Sequence, residues 1–332
     1  MIVTKTPLRV SLIGGGSDYP AWFNEFGGAV LGGSINKNVF VTLSELSKFS
    51  EEKFRFTYRV TESVSGAEEF EHPVVRATLM NYFLNQPHHG LNLGTFADIP
   101  GHSGMGSSSS FSVGLLLALE KFKKSDLVNP DFLASAAIRI EREILKEDGG
   151  WQDQYHAAFG GLRLYTFDSS GVMVGPTIFS KDQLMELSRY FVLVKVGGTR
   201  DSSAHASKTR EYFKLPAYQE ALKNQVEITK AIANSLPGKT VESAAAALFE
   251  AVRYSAEWKQ SLGSSLIPEE VLLIGKRGQA LGAECYKLLG AGGSGYILFG
   301  GDPVAMNAIR SHFPNQFMDF EFTSDGAQVF EI

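Results

Sequence analysis

Residues 53–60, Lys-Phe-Arg-Phe-Thr-Tyr-Arg-Val, carry an apolar side chain at every second position. That period of two predicts a strand with one face buried and the other solvated. Further β-rich runs cover residues 3–13, 29–46, 91–97, 160–167, 172–174 and 190–196. Helical spacing appears over residues 73–84, 111–122 and 130–146. In the last of these, Leu133, Ala137, Ile140 and Ile144 share one stripe and predict a single amphipathic helix. Residues 181–189, 216–235, 241–261, 268–281 and 302–313 read as helices, and 284–289, 296–299, 316–322 and 327–331 as strands. Strands alternating with helices in this half suit an α+β sandwich. The change of domain is expected near residue 170, giving units over 1–170 and 171–332.

Glycine-rich segments interrupt these patterns. Residues 100–110 read P-G-H-S-G-M-G-S-S-S-S, between a strand and a helix. The first N–H groups of a helix lack partners, and its dipole places about half a positive charge there, so such a loop suits an anion. Gly104 and Gly106 let backbone approach a ligand, and Ser107–Ser110 offer caps, hydroxyl donors and a Mg²⁺ ligand. A capped helix after a flexible turn is the plainer alternative. There is no G-x-x-x-x-G-K-[ST], and the protein-kinase signature set is missing.

Gly14-Gly15-Gly16-Ser17-Asp18 follows the first strand, with Arg9 nine residues before the aspartate. An Asx-turn or helix cap would also explain Asp18. Residues 290–295 fit G-x-G-x-x-G, but Tyr-Ile-Leu-Phe follows, a strand where a dinucleotide site needs a helix. Glu141 and Glu143 lie in the 130–146 helix, and Asp153 follows in Trp-Gln-Asp-Gln. His88-His89 has no ligand cluster around it and reads as loop or strand start.

Composition narrows the setting. The 332 residues are 44% hydrophobic and 20% charged, ample for a sizeable core. A net charge of −5 argues against general affinity for nucleic acid or an anionic membrane. The single cysteine, Cys285, excludes an intrachain disulfide. With neither a signal-peptide pattern nor a membrane-length apolar window, a cytoplasmic setting is expected.

The 100–110 loop resembles the second motif of the GHMP kinases (galactokinase, homoserine, mevalonate and phosphomevalonate kinases), roughly P-x-x-x-G-[LM]-G-S-S-[AS]-[AS]. Residues 9–18 resemble the first motif, in which an Arg-bearing strand leads to a Gly-rich turn and an Asp that holds sugar hydroxyls. Lys287 with Gly290-Ala291-Gly292-Gly293-Ser294-Gly295 resembles the third, K-x-x-G-A-G-x-G-G, with Ser294 replacing a glycine. Residues 150–154 resemble the G-x-x-D-Q stretch of galactokinase type, and Glu141 stands at the family's metal-carboxylate spacing from Asp153. The three motifs occur in family order from Arg9 to Gly295.

The resemblance implies an N-terminal domain like domain 2 of ribosomal protein S5 and a C-terminal ferredoxin-like α/β sandwich, both α+β. It implies ATP and Mg²⁺. Gly104, Met105, Gly106, Ser107, Ser108, Ser109 and Ser110 would bind ATP, and Ser108 and Glu141 the metal. Asp153 and Arg9 would be catalytic, side by side. Gly16, Ser17, Asp18, Arg200 and Gly293 would bind the acceptor.

Gly14-Gly15-Gly16 stands where galactokinases carry Gly-Glu-His. That form, with Gly198-Thr199-Arg200, looks most like the branch of D-glycero-D-manno-heptose 7-phosphate kinases and fucokinases. The expected reaction is phosphorylation of such an acceptor at its anomeric hydroxyl. A fucokinase-like or other sugar 1-kinase is one alternative, and a nucleotide-binding regulatory protein without turnover another. Arg200, Lys37 and Lys5 are the cations nearest the motifs for an acceptor phosphate. The expected partner is a sugar or sugar phosphate, neither nucleic acid nor membrane, with a homodimer left open.

Overall fold

In the computed structural model, which describes residues 1–83, 90–101, 103–125, 128–197, 211–261, 267–290 and 295–332, one long strand organises the larger sheet. That strand, β2 (Gly28–Glu45), pairs with β1 (Ile2–Ile13) along most of its length. On its other side its two halves take different partners: β6 (Leu162–Asp168) against residues 28–33, and β5 (Leu91–Ala97) against residues 39–45. β3 (Phe54–Thr57) and β4 (Thr61–Val64) extend the sheet beyond β5, and β7 (Gly171–Val174) pairs with β6. The last strand, β12 (Gln328–Glu331), returns to pair with residues 2–5 of β1.

The second sheet has the order β11 (Phe317–Met318), β8 (Phe191–Val196), β10 (Gly295–Gly300), β9 (Cys285–Leu288), all antiparallel. The division expected after residue 170 falls in the turn of the β6–β7 hairpin, both of whose strands lie in the first sheet.

Helix α3 (Ser107–Phe122) lies on β1 and β2 and is buried without a break from Ser109 to Glu120. An all-round apolar helix with Leu115–Leu119 at its centre belongs inside. Leu8, Val10 and Leu12 share one hydrophobic cluster with Leu193, Phe249 and Leu298. A continuous apolar contact of this kind fixes the two sheets relative to each other. α7 (Pro216–Ser235) and α8 (Val241–Ser261) pack together; α7 also touches β2, and α8 touches β1 and β9. Among the described residues no helix is long and apolar enough to cross a membrane.

Three elements differ from the reading of the pattern. The strand expected over 53–60 stops at Thr57, and the chain turns back as β4. Phe54 and Phe56 are buried there, as the alternation requires. The helix expected over 130–146 is α4 (Pro130–Ile138) followed by a π-helical turn, Arg139–Ile144, in which Leu145 N–H reaches Ile140 O at 3.0 Å. The closing strands are shorter than 316–322 and 327–331, with Phe322 outside β11.

Candidate active site

The first turn of α5 (Gln152–Phe159) is where the motifs meet. Three consecutive side chains there contact three separate parts of the chain. Gln152 Nε2 donates to Asp18 Oδ2 at 2.9 Å. Arg9 on β1 donates from Nε to Asp153 Oδ1 at 2.8 Å, and its Nη2 lies 2.7 Å from the same oxygen. Gln154 Nε2 donates to Glu141 Oε2 at 2.7 Å. Successive helical residues point about 100° apart, so one turn can serve three directions.

The glycine-rich loop reaches this turn from the other side. Gly106 caps α3 in the left-handed region, φ 77°, and a Cβ there would lie 3.2 Å from Asp153 Cγ. Gly104, φ +75°, would set a Cβ 2.9 Å from Leu289 O, and its own carbonyl accepts from Arg9 Nη1 at 2.7 Å. Both positions need glycine, for the backbone angle and for the close approach. Met105 is buried, and its carbonyl accepts from Arg9 N.

The serines divide in two. Ser110 Oγ donates to Pro7 O at 2.8 Å and Ser109 Oγ to Glu141 Oε2 at 2.9 Å; both are buried. Ser107 is half-buried and Ser108 exposed, so their side chains and the opening amides of α3 border the cleft. Of the two members of the expected metal pair, Glu141 meets the hydroxyl of Ser109 rather than that of Ser108.

Glu141 is 1% exposed, and burial pushes its carboxyl above the usual range, opposed by Arg142, Ser112, Ser109 and Gln154. Its second oxygen, Oε1, has no hydrogen-bond partner. A buried, open carboxylate oxygen beside the glycine-rich loop fits a hard divalent cation. The described residues hold no cluster of three or more His, Cys, Asp or Glu. Mg²⁺ takes one or two carboxylates and fills its shell with water and phosphate oxygens.

Asp18 is 1% exposed and accepts from Gly16 N, Gln152 N and Gln152 Nε2. Burial raises its carboxyl, and the charge of Asp153 raises it further. Ser17 has a different part. Its Oγ donates to Gly14 O at 2.7 Å, accepts from Ala29 N at 3.0 Å, and is wholly buried, so it holds the turn and faces no ligand. Gly16 packs against the second half of the chain: a Cβ there would come within 3.3 Å of Trp258 and 3.6 Å of the Tyr218 hydroxyl. Arg200 and Gly293 lie outside the described residues, as does His88-His89. Lys5 lies between Gln328 of β12 and Phe40 of β2, before Arg9 on the same strand.

Two lysines from the second half join Arg9. Lys287, the leading residue of the third motif, is buried and donates to Ser11 O and Leu12 O, each at 3.0 Å. It straps β9 to β1. Lys259 on α8 donates to Gly290 O at 2.7 Å, beside Gly104. Burial and then Arg9 lower its ammonium to about 8, while burial, Lys259 and Arg9 hold Lys287 well below the usual lysine value. Neither Gln152, Gln154 nor Lys259 was expected from the sequence. The glutamines flank Asp153 directly and could have been read from that; Lys259 is one cation among many on an ordinary helix.

Residues 73–161 match the GHMP kinases N terminal domain. The D-glycero-alpha-D-manno-heptose 7-phosphate kinase of Campylobacter jejuni is 28% identical over 345 residues, covering 100% of this chain and 99% of that protein. The bifunctional fucokinase/GDP-fucose pyrophosphorylase of Arabidopsis thaliana is 23% identical over 315 residues, 89% of this chain and 29% of that one. The crystal structure of a D-glycero-D-manno-heptose 1-phosphate kinase from Bacteriodes thetaiotaomicron has the same fold, with a TM-score of 0.78 and 23% identity over 100% of this chain and 99% of that one.

Proposed function

We propose that this chain, which belongs to the GHMP kinase family, is an ATP-dependent sugar-phosphate kinase acting on D-glycero-D-manno-heptose 7-phosphate at the anomeric hydroxyl to give the 1,7-bisphosphate. The observation that carries the reading is the first turn of α5, where Gln152 holds Asp18, Asp153 holds Arg9 and Gln154 holds Glu141. Acceptor turn, reacting carboxylate and metal carboxylate are thereby set by one short segment beside the phosphate loop.

In this reading the backbone of Gly104–Ser110 and the opening amides of α3 hold the nucleotide phosphates. Glu141 and the exposed hydroxyl of Ser108 would hold Mg²⁺, which would offset phosphate charge. Asp153 orients the acceptor hydroxyl and takes its proton as the bond to phosphorus forms. Arg9 keeps Asp153 in place and faces the charge that spreads over the transferred group. Asp18, held by Gly16 N and Gln152, fixes the turn that meets the acceptor. Lys259, with Arg9, supplies positive charge at the same end of the cleft, which favours a phosphorylated acceptor over a free sugar. A reaction that consumes ATP and a sugar phosphate belongs in the cytoplasm.

ADP release with Mg-ATP across a panel of heptose 7-phosphate, mannose 6-phosphate, fucose and galactose tests the reading. Turnover of the 7-phosphate alone is expected. Turnover of fucose instead would move the chain to a fucokinase-like reaction. ATP binding without turnover of any acceptor would leave a regulatory protein.

A second outcome separates the two halves of the site. Asp18→Asn keeps the shape but leaves one oxygen to accept where there were two. The acceptor kcat/KM is expected to fall about 10- to 100-fold, the range for a lost hydrogen bond to a charged group, with ATP affinity unchanged. Steady-state kinetics with each substrate varied in turn checks it. Collapse of ATP binding would mean that the acceptor turn has been misassigned.

A further inference from the structure

Arg142 touches the metal carboxylate yet is used by none of the steps above. It is half-buried and comes from the π-helical turn. Its Nη2 lies 3.5 Å from Glu141 Oε2, and its Nη1 lies 3.9 Å from Glu147 Oε2. The same guanidinium turns to the chain ahead: Nε and Nη2 donate to Gly150 O at 3.4 and 3.2 Å. Both bonds are at the long end of the range, as fits one group serving two sides.

Two glycines carry that contact to Asp18. Gly149 packs on the guanidinium, where a Cβ would lie 2.6 Å from Arg142 Nη2. Gly150 packs on the aspartate, where a Cβ would lie 1.8 Å from Asp18 Oδ2. The next two amides, Trp151 N and Gln152 N, donate to Asp18 O at 3.0 Å and to Oδ2 at 3.2 Å. Contacts therefore run from Glu141 through Arg142 and Gly150 to Asp18, joining two carboxylates whose residues are each 1% exposed. The segment between them is not relaxed. Lys146 sits at φ 56°, in the left-handed region, and Glu147 N donates to Glu141 O at 2.9 Å. A residue other than glycine stays there only where its surroundings hold it.

We propose that Arg142 is a positioning residue that couples the nucleotide end of the site to the acceptor end. This rests on the kinase reading above and deepens it. In the empty site the guanidinium is divided between Glu141 Oε2 and Gly150 O. A dication sharing the Glu141 carboxylate weakens the first attraction and repels the guanidinium, so Gly150 O becomes its better partner. A firmer Gly150 holds Asp18 more rigidly, and less order remains to be imposed when the acceptor binds. Linkage runs both ways. An acceptor that fixes Asp18 draws the guanidinium off Glu141 and frees that carboxylate for the metal. The two substrates thus promote each other through Arg142, a residue outside the three motifs.

Calorimetry tests this by measuring the affinity for heptose 7-phosphate with and without saturating Mg²⁺ and a non-hydrolysable ATP analogue. In wild type the nucleotide complex should tighten acceptor binding about 10-fold. Arg142→Met removes both fork and charge, and its ratio should fall to within about twofold of one, with metal-free nucleotide bound as in wild type. Gly149→Ala keeps the charge but drives the guanidinium off Gly150 O, because the added methyl would lie 2.6 Å from Nη2 and 2.7 Å from Cζ. Its ratio should fall in the same way. Melting temperatures are recorded alongside: a merely structural role would lower them and leave the ratio where it was.

Arg142→Met with the wild-type ratio overturns the proposal, whatever its melting temperature, and so does a wild type whose two ligands bind independently. If Arg142→Met fails to fold, Gly149→Ala decides by the same ratio. ADP release by wild type separates this outcome from the kinase reading. Turnover of heptose 7-phosphate with an unchanged ratio in the variants leaves that reading standing and removes Arg142 from it. If fucose is turned over instead, fucose becomes the probe and the same ratio decides. A wild type that binds no sugar of the panel overturns both.

Discussion

Asp153→Asn is expected to lower phosphoryl transfer by about 10²- to 10⁴-fold while ATP still binds. The asparagine keeps one oxygen for Arg9, whose Nη1 is also held by Gly104 O, so the guanidinium stays where it is. What is lost is the carboxylate that orients and deprotonates the hydroxyl. Single-turnover rates with saturating acceptor, alongside nucleotide titrations, check this. Near wild-type turnover would remove Asp153 from its part in the reaction. A joint fall in turnover and nucleotide affinity would show instead that the Arg9–Asp153 pair supports the phosphate loop.

Lys259→Met is expected to make the enzyme slower and the empty protein more stable. An ammonium held at about 8 in the fold, against the ordinary 10.5, is costly to keep charged there. Between those two values the unfolded chain binds a proton at Lys259 that the folded chain has shed. The stability contribution of this group therefore rises with pH across that window. A bound phosphate works the other way, because it needs the charge. Melting temperature of the empty protein should thus climb above pH 8 while kcat/KM declines. The methionine variant should lose the decline in kcat/KM and show a shallower rise in melting temperature, since Lys287 is also held low, with kcat/KM down about 100-fold near neutral pH, as for loss of one preorganised donor. A pH–rate profile with no limb near 8 in the wild type would discount Lys259 as an anion ligand.

Much of the architecture could be read from hydrophobic spacing, because long helices such as α8 carry one period through most of their length. The helix through Glu141 is instructive where reading fell short. Its stripe of Leu133, Ala137, Ile140 and Ile144 is compatible with an unbroken α-helix, yet the backbone widens after Ile138. The widening answers to tertiary demands: Glu141 must meet Ser109 and Gln154, and Arg142 must reach Gly150 O. No local propensity encodes that. Motif residues on turns were legible because glycine-rich spacing has few structural uses. Lys259 was not, since a single polar residue on a long helix looks the same whether it faces water or a cleft. Ser17 shows the converse: it sits inside a motif, yet its hydroxyl is consumed by Gly14 and Ala29.

The return of β12 to β1 bears on how the protein is made. Lys5 and Gln328 are register partners, so the outer edge of residues 2–5, on the strand that carries Arg9, stays bare until Gln328 has been made. At typical elongation speeds of about 5–20 residues per second, that delay is on the order of tens of seconds. For that time the nascent first sheet presents an open edge on which another nascent chain could pair. The closing strand touches none of the reacting groups, so its influence falls on folding yield and aggregation during synthesis, and cooling or slower expression should matter more to this protein than its catalytic residues would indicate.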